Sequence, residues 1–219
     1  MNSPTLINAR GQVIAQAEPA LLSRVLGIAS LGFLVTAAGV YFAPPFFSGP
    51  MLLVCVVASF ALIFGVRATR ANAVLSLSLF LGLAFVLGFE ISPWMRMLIG
   101  SGHSNVIFNA AMTTGVGMGM LGIGAQFANF NYRRVGGIAS AALLGLVAVG
   151  ILSMFFHFIQ PGVYSVLTLI IFSVLVIVDF MRIRSGGDGR TAVELALSIY
   201  LDGLNIFLAL TRLFRGGRD

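Results

Sequence analysis

Residues 170–210 read IIFSVLVIVDFMRIRSGGDGRTAVELALSIYLDGLNIFLAL. Two long apolar runs flank a short charged turn, RIRSGGDGR (182–190), and each run carries one buried-looking acid, Asp179 in the first and Asp202 in the second. A helix needs about 20 mostly apolar residues to cross a bilayer, so the pattern predicts two consecutive membrane spans. An ionisable side chain at membrane depth costs roughly 2.5–3.5 kcal/mol on insertion scales and marks function by default. Only seven acids occur in the chain, and three of them, Asp179, Asp202 and, at the very start of the second span, Glu194, fall in these adjoining spans.

Working outward, the remaining composition agrees. The 219 residues are 58% hydrophobic and 9% charged, whereas a soluble domain averages about 25% charged. Thirteen arginines and no lysine supply the basic charge, and they punctuate loops instead of forming a surface, which argues against nucleic-acid binding. The one cysteine, Cys55, lies in an apolar run and has no partner for an internal disulfide. The first twenty-one residues form a polar tail without a basic, short-apolar leader pattern, so no removable signal peptide is expected.

Seven spans are predicted over residues 22–42, 51–67, 73–95, 105–128, 136–158, 162–181 and 191–213, in one transmembrane domain covering 22–219. APPFFSGP (43–50), with three prolines, breaks the first from the second. Arg10, Arg24, Arg67, Arg70, Arg133, Arg134, Arg182, Arg184 and Arg190 fall at alternate connections, and Arg96 alone at the others. That bias puts the N-terminus in the cytoplasm, as expected for a bacterial inner membrane. Arg212, Arg215 and Arg218 oppose it, leaving open whether the seventh segment crosses fully. In the fourth segment Gly117, Gly119 and Gly122 satisfy G-x-G-x-x-G, but no strand precedes them. Gly115 and Gly119 are instead expected to let helix backbones pack closely.

The seventh segment carries a polar stripe. Glu194, Ser198 and Asp202 recur every four residues and Asn205 follows three later, so all four share one helix face. Facing lipid they would be unpaired, so this helix is expected at the centre of the bundle with the stripe turned inward. Two carboxylates brought together at low dielectric tend to share a proton, giving a latch that one proton holds. Losing that proton gives repulsion or a transient Ca²⁺ site made by Asp179 and Asp202, because hard cations favour oxygen ligands. Arg67 is the expected counter-ion. The two acids differ in depth, so they meet only if helix seven starts late, tilts or breaks, and Gly203 would permit a break. Blander readings stand beside this one: Asp179 paired with Arg182 across a helix end, and Asp202 in a helix-packing network. Glu90 is expected at the outer interface, His103 in a loop and His157 at an interfacial helix end, while Trp94 and Tyr41 suit an aromatic belt.

The segment ALSIYLDGLNIFLALTRLF (196–214) resembles the signature helix of the Bax-inhibitor family, also called transmembrane Bax inhibitor motif proteins, through Ser198–Asp202 and Asn205–Phe207. Val178–Asp179, AAMTTGVGMG in the fourth segment and GFEISPW in the third are similar to further family features, and the likeness covers roughly residues 20–215. The resemblance implies a seven-helix, all-α bundle around its last helix. It also implies an aspartate pair, Asp179 and Asp202, with Arg67 nearby, controlling a pH-sensitive calcium leak; no cofactor and no enzymatic activity are implied. The chain departs from some bacterial relatives in lacking an acid in helix two and in having Gly203 where a bulky aromatic often stands.

Rival readings separate on chemistry. A retinal protein needs a Schiff-base lysine, and there is none. An intramembrane aspartyl protease also uses two aspartates, but its tyrosine-aspartate and glycine-x-glycine-aspartate patterns are replaced here by Val178–Asp179 and Leu201–Asp202. A non-transporting regulatory partner of membrane proteins, such as a membrane-bound protease, would use the acids structurally. Ion selectivity, trigger and oligomeric state are not set by the sequence.

Overall fold

A computed structural model describes residues 19–45, 48–156 and 159–216. His157, Arg10 and Arg218 lie outside these residues. Within them the chain folds into seven helices long and apolar enough to cross a membrane: α1 (Pro19–Phe42), α2 (Gly49–Ala68), α3 (Ala73–Gly100), α4 (Ser104–Phe127), α5 (Tyr132–Phe156), α6 (Pro161–Arg184) and α7 (Ala192–Gly216). The protein is an all-α integral membrane protein.

Local chemistry sets the ends. Ser48 accepts from the Met51 N–H with Pro50 in the first turn of α2, and Asn72 accepts from the Leu75 N–H at the start of α3. Thr191 and Glu194 form a capping box at α7: the Glu194 N–H donates to Thr191 Oγ1 at 3.2 Å, and the Thr191 N–H donates to Glu194 Oε2 at 2.8 Å. Arg184 closes α4 by donating to the carbonyls of Ala125 (2.7 Å), Gln126 and Ala128 (2.9 Å). The third helix outruns its predicted end at residue 95 and continues through Pro93 to Gly100. Buried neighbours can re-satisfy backbone groups that a proline frees in a membrane helix.

Six helices form two groups around the seventh. In the first, α1 and α2 both pack on α3; in the second, α4 and α5 both pack on α6; α7 packs against α1, α4 and α6. The central window of α7 is 67% buried, against 11–39% for the other helices. Tyr200 is fully buried there, stacked edge-on to Phe80 and tilted against Phe33, with its hydroxyl 2.6 Å from that of Thr36. At the α1–α3 crossing, a Cβ on Gly88 would strike the Thr36 carbonyl, and one on Gly39 the Phe85 carbonyl.

Several expectations change. The seventh segment runs the full length of the bundle: Trp94 near the far end of α3 donates to Thr211 Oγ1 at 3.0 Å, and Arg215 lies over the Trp94 ring. Trp94 therefore also anchors α7. Helix α7 is unbroken at Gly203, whose missing side chain makes room for Met118 and Phe33. Gly115 and Gly119 are not a close-packing pair, because a Cβ at either meets nothing within 4 Å. They line an apolar cleft of about 720 Å³ between α1 and α4, and of the predicted stripe it is Gly122 that packs tightly, under the Phe180 ring.

Candidate functional site

On the opposite side of α7 a second cleft opens between α2 and α5, with α6 and α7 as its floor. Its volume is about 970 Å³. Asp179 from α6 reaches it, as do Glu194, Ser198, Asp202 and Asn205 from α7, and Arg67 stands on its α2 wall. Every residue of the predicted stripe thus faces one cavity, because positions four apart on α7 lie above one another.

Asp179 and Asp202 are 4% and 5% exposed. By residue count Asp179 lies about 7–8 Å from the end of α6 and Asp202 about 15 Å into α7. The depth difference is real, yet both acids border the same space without a break in either helix. Arg182 lines this cavity with the two aspartates. Oδ2 of each aspartate is buried with no hydrogen-bond partner among the described residues. A buried carboxylate oxygen left without a donor carries its full desolvation cost, so each has capacity for a proton, a water or a cation.

The counter-ion differs from expectation. Asp179 accepts from Arg182, three residues on, and not from Arg67, which borders the cavity without an ion pair to it. Arg182 continues to Asp188, 3.7 Å away, and Asp188 takes Arg133 at 2.6 Å and the Tyr132 hydroxyl at 3.0 Å. A chain of charge therefore runs from Asp179 through Arg182 and Asp188 to Arg133 and ties the α6–α7 loop to α5. The loop needs unusual backbone to do this: Gly186, Gly187 and Gly189 have φ of 87°, 83° and 73°, and Asp188 itself has φ 54°. Glycine adopts that region without penalty and aspartate tolerates it. Burial disfavours the Asp188 carboxylate, but the hydrogen bonds of Arg133 and Tyr132 and the charges of Arg133 and Arg182 outweigh it and hold its pKa below the ordinary value.

The other candidates separate from the site. Glu194 spends its carboxylate on the α7 cap, and the Asn205 amide donates to the Leu201 carbonyl at 2.8 Å. Ser198 lies beside Asp179. Glu90 is not an interfacial charge: it is half-buried, and Ser59 of α2 donates to it at 2.6 Å. His103 stays in the α3–α4 turn beside Ser101. Arg190, Arg133 and Arg212 also line the cavity and were not expected as site residues; the first two sit in or beside charged turns that read as topology signals alone. Among the described residues no three His, Cys, Asp or Glu side chains converge as a metal site.

The family profile described as "Inhibitor of apoptosis-promoting Bax1" matches residues 18–219. An uncharacterized membrane protein of Streptococcus pyogenes serotype M3 is 30% identical over 162 residues, covering 67% of this chain and 66% of that protein. An uncharacterized protein of Lactococcus lactis is 30% identical over 161 residues (68% and 66%), and one of Campylobacter jejuni is 26% identical over 156 (70% and 67%). The chain thus spans about two thirds of the length of these relatives.

Proposed function

The chain belongs to the Bax inhibitor family, and from that premise we propose that it is a pH-sensitive leak for Ca²⁺ or related cations across a bacterial inner membrane, gated by Asp179 and Asp202. One observation carries the reading: two carboxylates from adjoining helices face a single cavity, and each has a buried oxygen with no hydrogen-bond partner among the described residues. While a proton is shared, α6 and α7 stay together at this point. Once it is lost the two charges repel, and Arg182 neutralises only one of them. The pair is then ready to meet a hard cation entering the cavity.

Calcium ordinarily takes six to eight oxygens. Asp179 gives one oxygen to Arg182, so the two aspartates with Ser198 and Asn205 offer at most five, and the ion is a passing cargo completed by water and not a resident cofactor. We read the protein as non-enzymatic, because Val178–Asp179 and Leu201–Asp202 depart from the tyrosine-aspartate and glycine-x-glycine-aspartate patterns of intramembrane aspartyl proteases.

Calcium flux into liposomes holding the purified protein, followed from pH 5 to 8, tests this reading. Wild type is expected to leak more at the alkaline end, rising by at most about tenfold per pH unit for a single shared proton. Asp202→Asn, which mimics the protonated acid, holds the low plateau at every pH, and Asp179→Asn flattens the profile in the same way. A flux indifferent to pH and to both substitutions sinks the mechanism. No flux, with a membrane-protein complex that survives Asp202→Asn, favours the regulatory-partner reading.

A further inference from the structure

We propose that the opening between α2 and α5 binds one anionic phospholipid, its phosphate held by Arg67 and Arg190 and an acyl chain lying along the cavity wall. The proposal does not depend on ion conduction. It starts from charge at the rim. Arg133 and Arg182 are engaged by Asp188 and Asp179. Arg67 and Arg190 line the same cavity, and among the described residues neither has a carboxylate within ion-pair distance or a side-chain hydrogen bond. Arg190 is crowded: burial first, then the like charges of Arg182 and Arg67, hold its pKa below the ordinary arginine range, with Asp179 and Glu194 offsetting part of this. Two guanidinium groups lining one cavity without an ion pair of their own suit a phosphate, because each presents donors in a planar fork.

The walls say what kind of phosphate. Helix α2 packs on α3 and α5 packs on α6, so the space between α2 and α5 opens sideways toward the bilayer. Below the arginines the walls are apolar, with Phe60 and Ile63 on α2 and Leu143, Leu144 and Val147 on α5. Phe60 is 60% exposed and Leu144 72%. A charged rim above a laterally open apolar wall matches a lipid of the adjoining leaflet, whose headgroup and chain arrive in that order. Inorganic phosphate would use the arginines alone and leave the wall unused.

The full chain, purified from membranes carrying equal phosphatidylglycerol and phosphatidylcholine, is examined by native mass spectrometry. One phosphatidylglycerol is expected to be retained about thirtyfold over phosphatidylcholine, the scale of two arginines acting on one anionic headgroup. Arg67→Gln combined with Arg190→Gln abolishes the preference, whereas Arg70→Gln, outside the cavity, keeps it. Millimolar inorganic phosphate leaves the lipid in place. A phosphatidylglycerol with a photoreactive acyl chain labels wild-type α2 and α5 around Phe60 and Leu144, a readout that needs no variant to fold. Equal retention of the two lipids, a preference that survives the double substitution, displacement by inorganic phosphate, or labelling away from α2 and α5 would each overturn the proposal.

Discussion

Asp188 shows how one residue can bind a loop to a helix it does not belong to. Its carboxylate, held below the ordinary pKa, joins Arg133 and Tyr132 of α5 to the α6–α7 connection. A carboxyl whose pKa is lowered on folding contributes stability above its unfolded value and loses it as pH falls through the folded one. Asp188→Asn is therefore expected to lower the thermal midpoint at pH 7 by a small amount, because solvent screens the exposed Arg133 partner. The gap between variant and wild type should close as pH falls below the ordinary aspartate value of 3.8. A gap unchanged at low pH would show that the ion pairs contribute nothing. At this scale the sequence is informative where chemistry is local. Asp202 stands out because an acid is costly in an apolar run, and its stripe follows from helical spacing. Arg182 was visible as a neighbour of Asp179 in the same helix end. Arg190 and Asp188 were not, because a loop with four consecutive left-handed residues folds side chains to places no periodicity encodes.

Helices meet where side chains are missing, and the glycines show which absences matter. At Gly88 a Cβ would lie 2.8 Å from Gly39 Cα and 2.9 Å from Val40 N, atoms of a backbone that cannot yield. Gly88→Ala is expected to destabilise the bundle by about 1–3 kcal/mol, the range for overpacking. Gly119→Ala, facing open space, should be neutral or stabilising by up to about 1 kcal/mol through helix propensity. Unfolding in a mild detergent compares them, and equal effects at the two sites would refute the packing assignment. Span number and order were legible because hydrophobic length dictates them. Which glycines lie at crossings was not, because small-xxx-small spacing occurs equally in a crossing and in a cleft wall. The end of α3 was not legible either, because the helix runs past residue 95 to Gly100.

At the scale of the whole molecule, the arginine bias becomes geometry. Arg67, Arg70, Arg133, Arg134, Arg182, Arg184 and Arg190 gather at one end of the bundle, and Arg96, Arg212 and Arg215 at the other. The first end is expected to face the cytoplasm. Cysteines introduced as Ser101→Cys and Arg70→Cys test it with a membrane-impermeant thiol reagent on intact cells: the first labels and the second is protected. The reverse pattern would invert the topology. The central place of α7 was legible from its polar stripe, whereas the division of the other six helices into two groups of three was not, since no single helix carries a mark of which neighbours it will choose.

That division bears on how the protein is made. Helix α7 leaves the ribosome after the other six described spans, and it supplies a buried face to helices of both groups. Until it arrives, the six earlier spans have two halves with no common keel, and its own acid at Asp202 has no cavity to face. Insertion of the seventh span and completion of the core are therefore one event. A damaging substitution in α7 should cost the cell the whole molecule, through quality control during biogenesis, well before it costs any activity of the finished one.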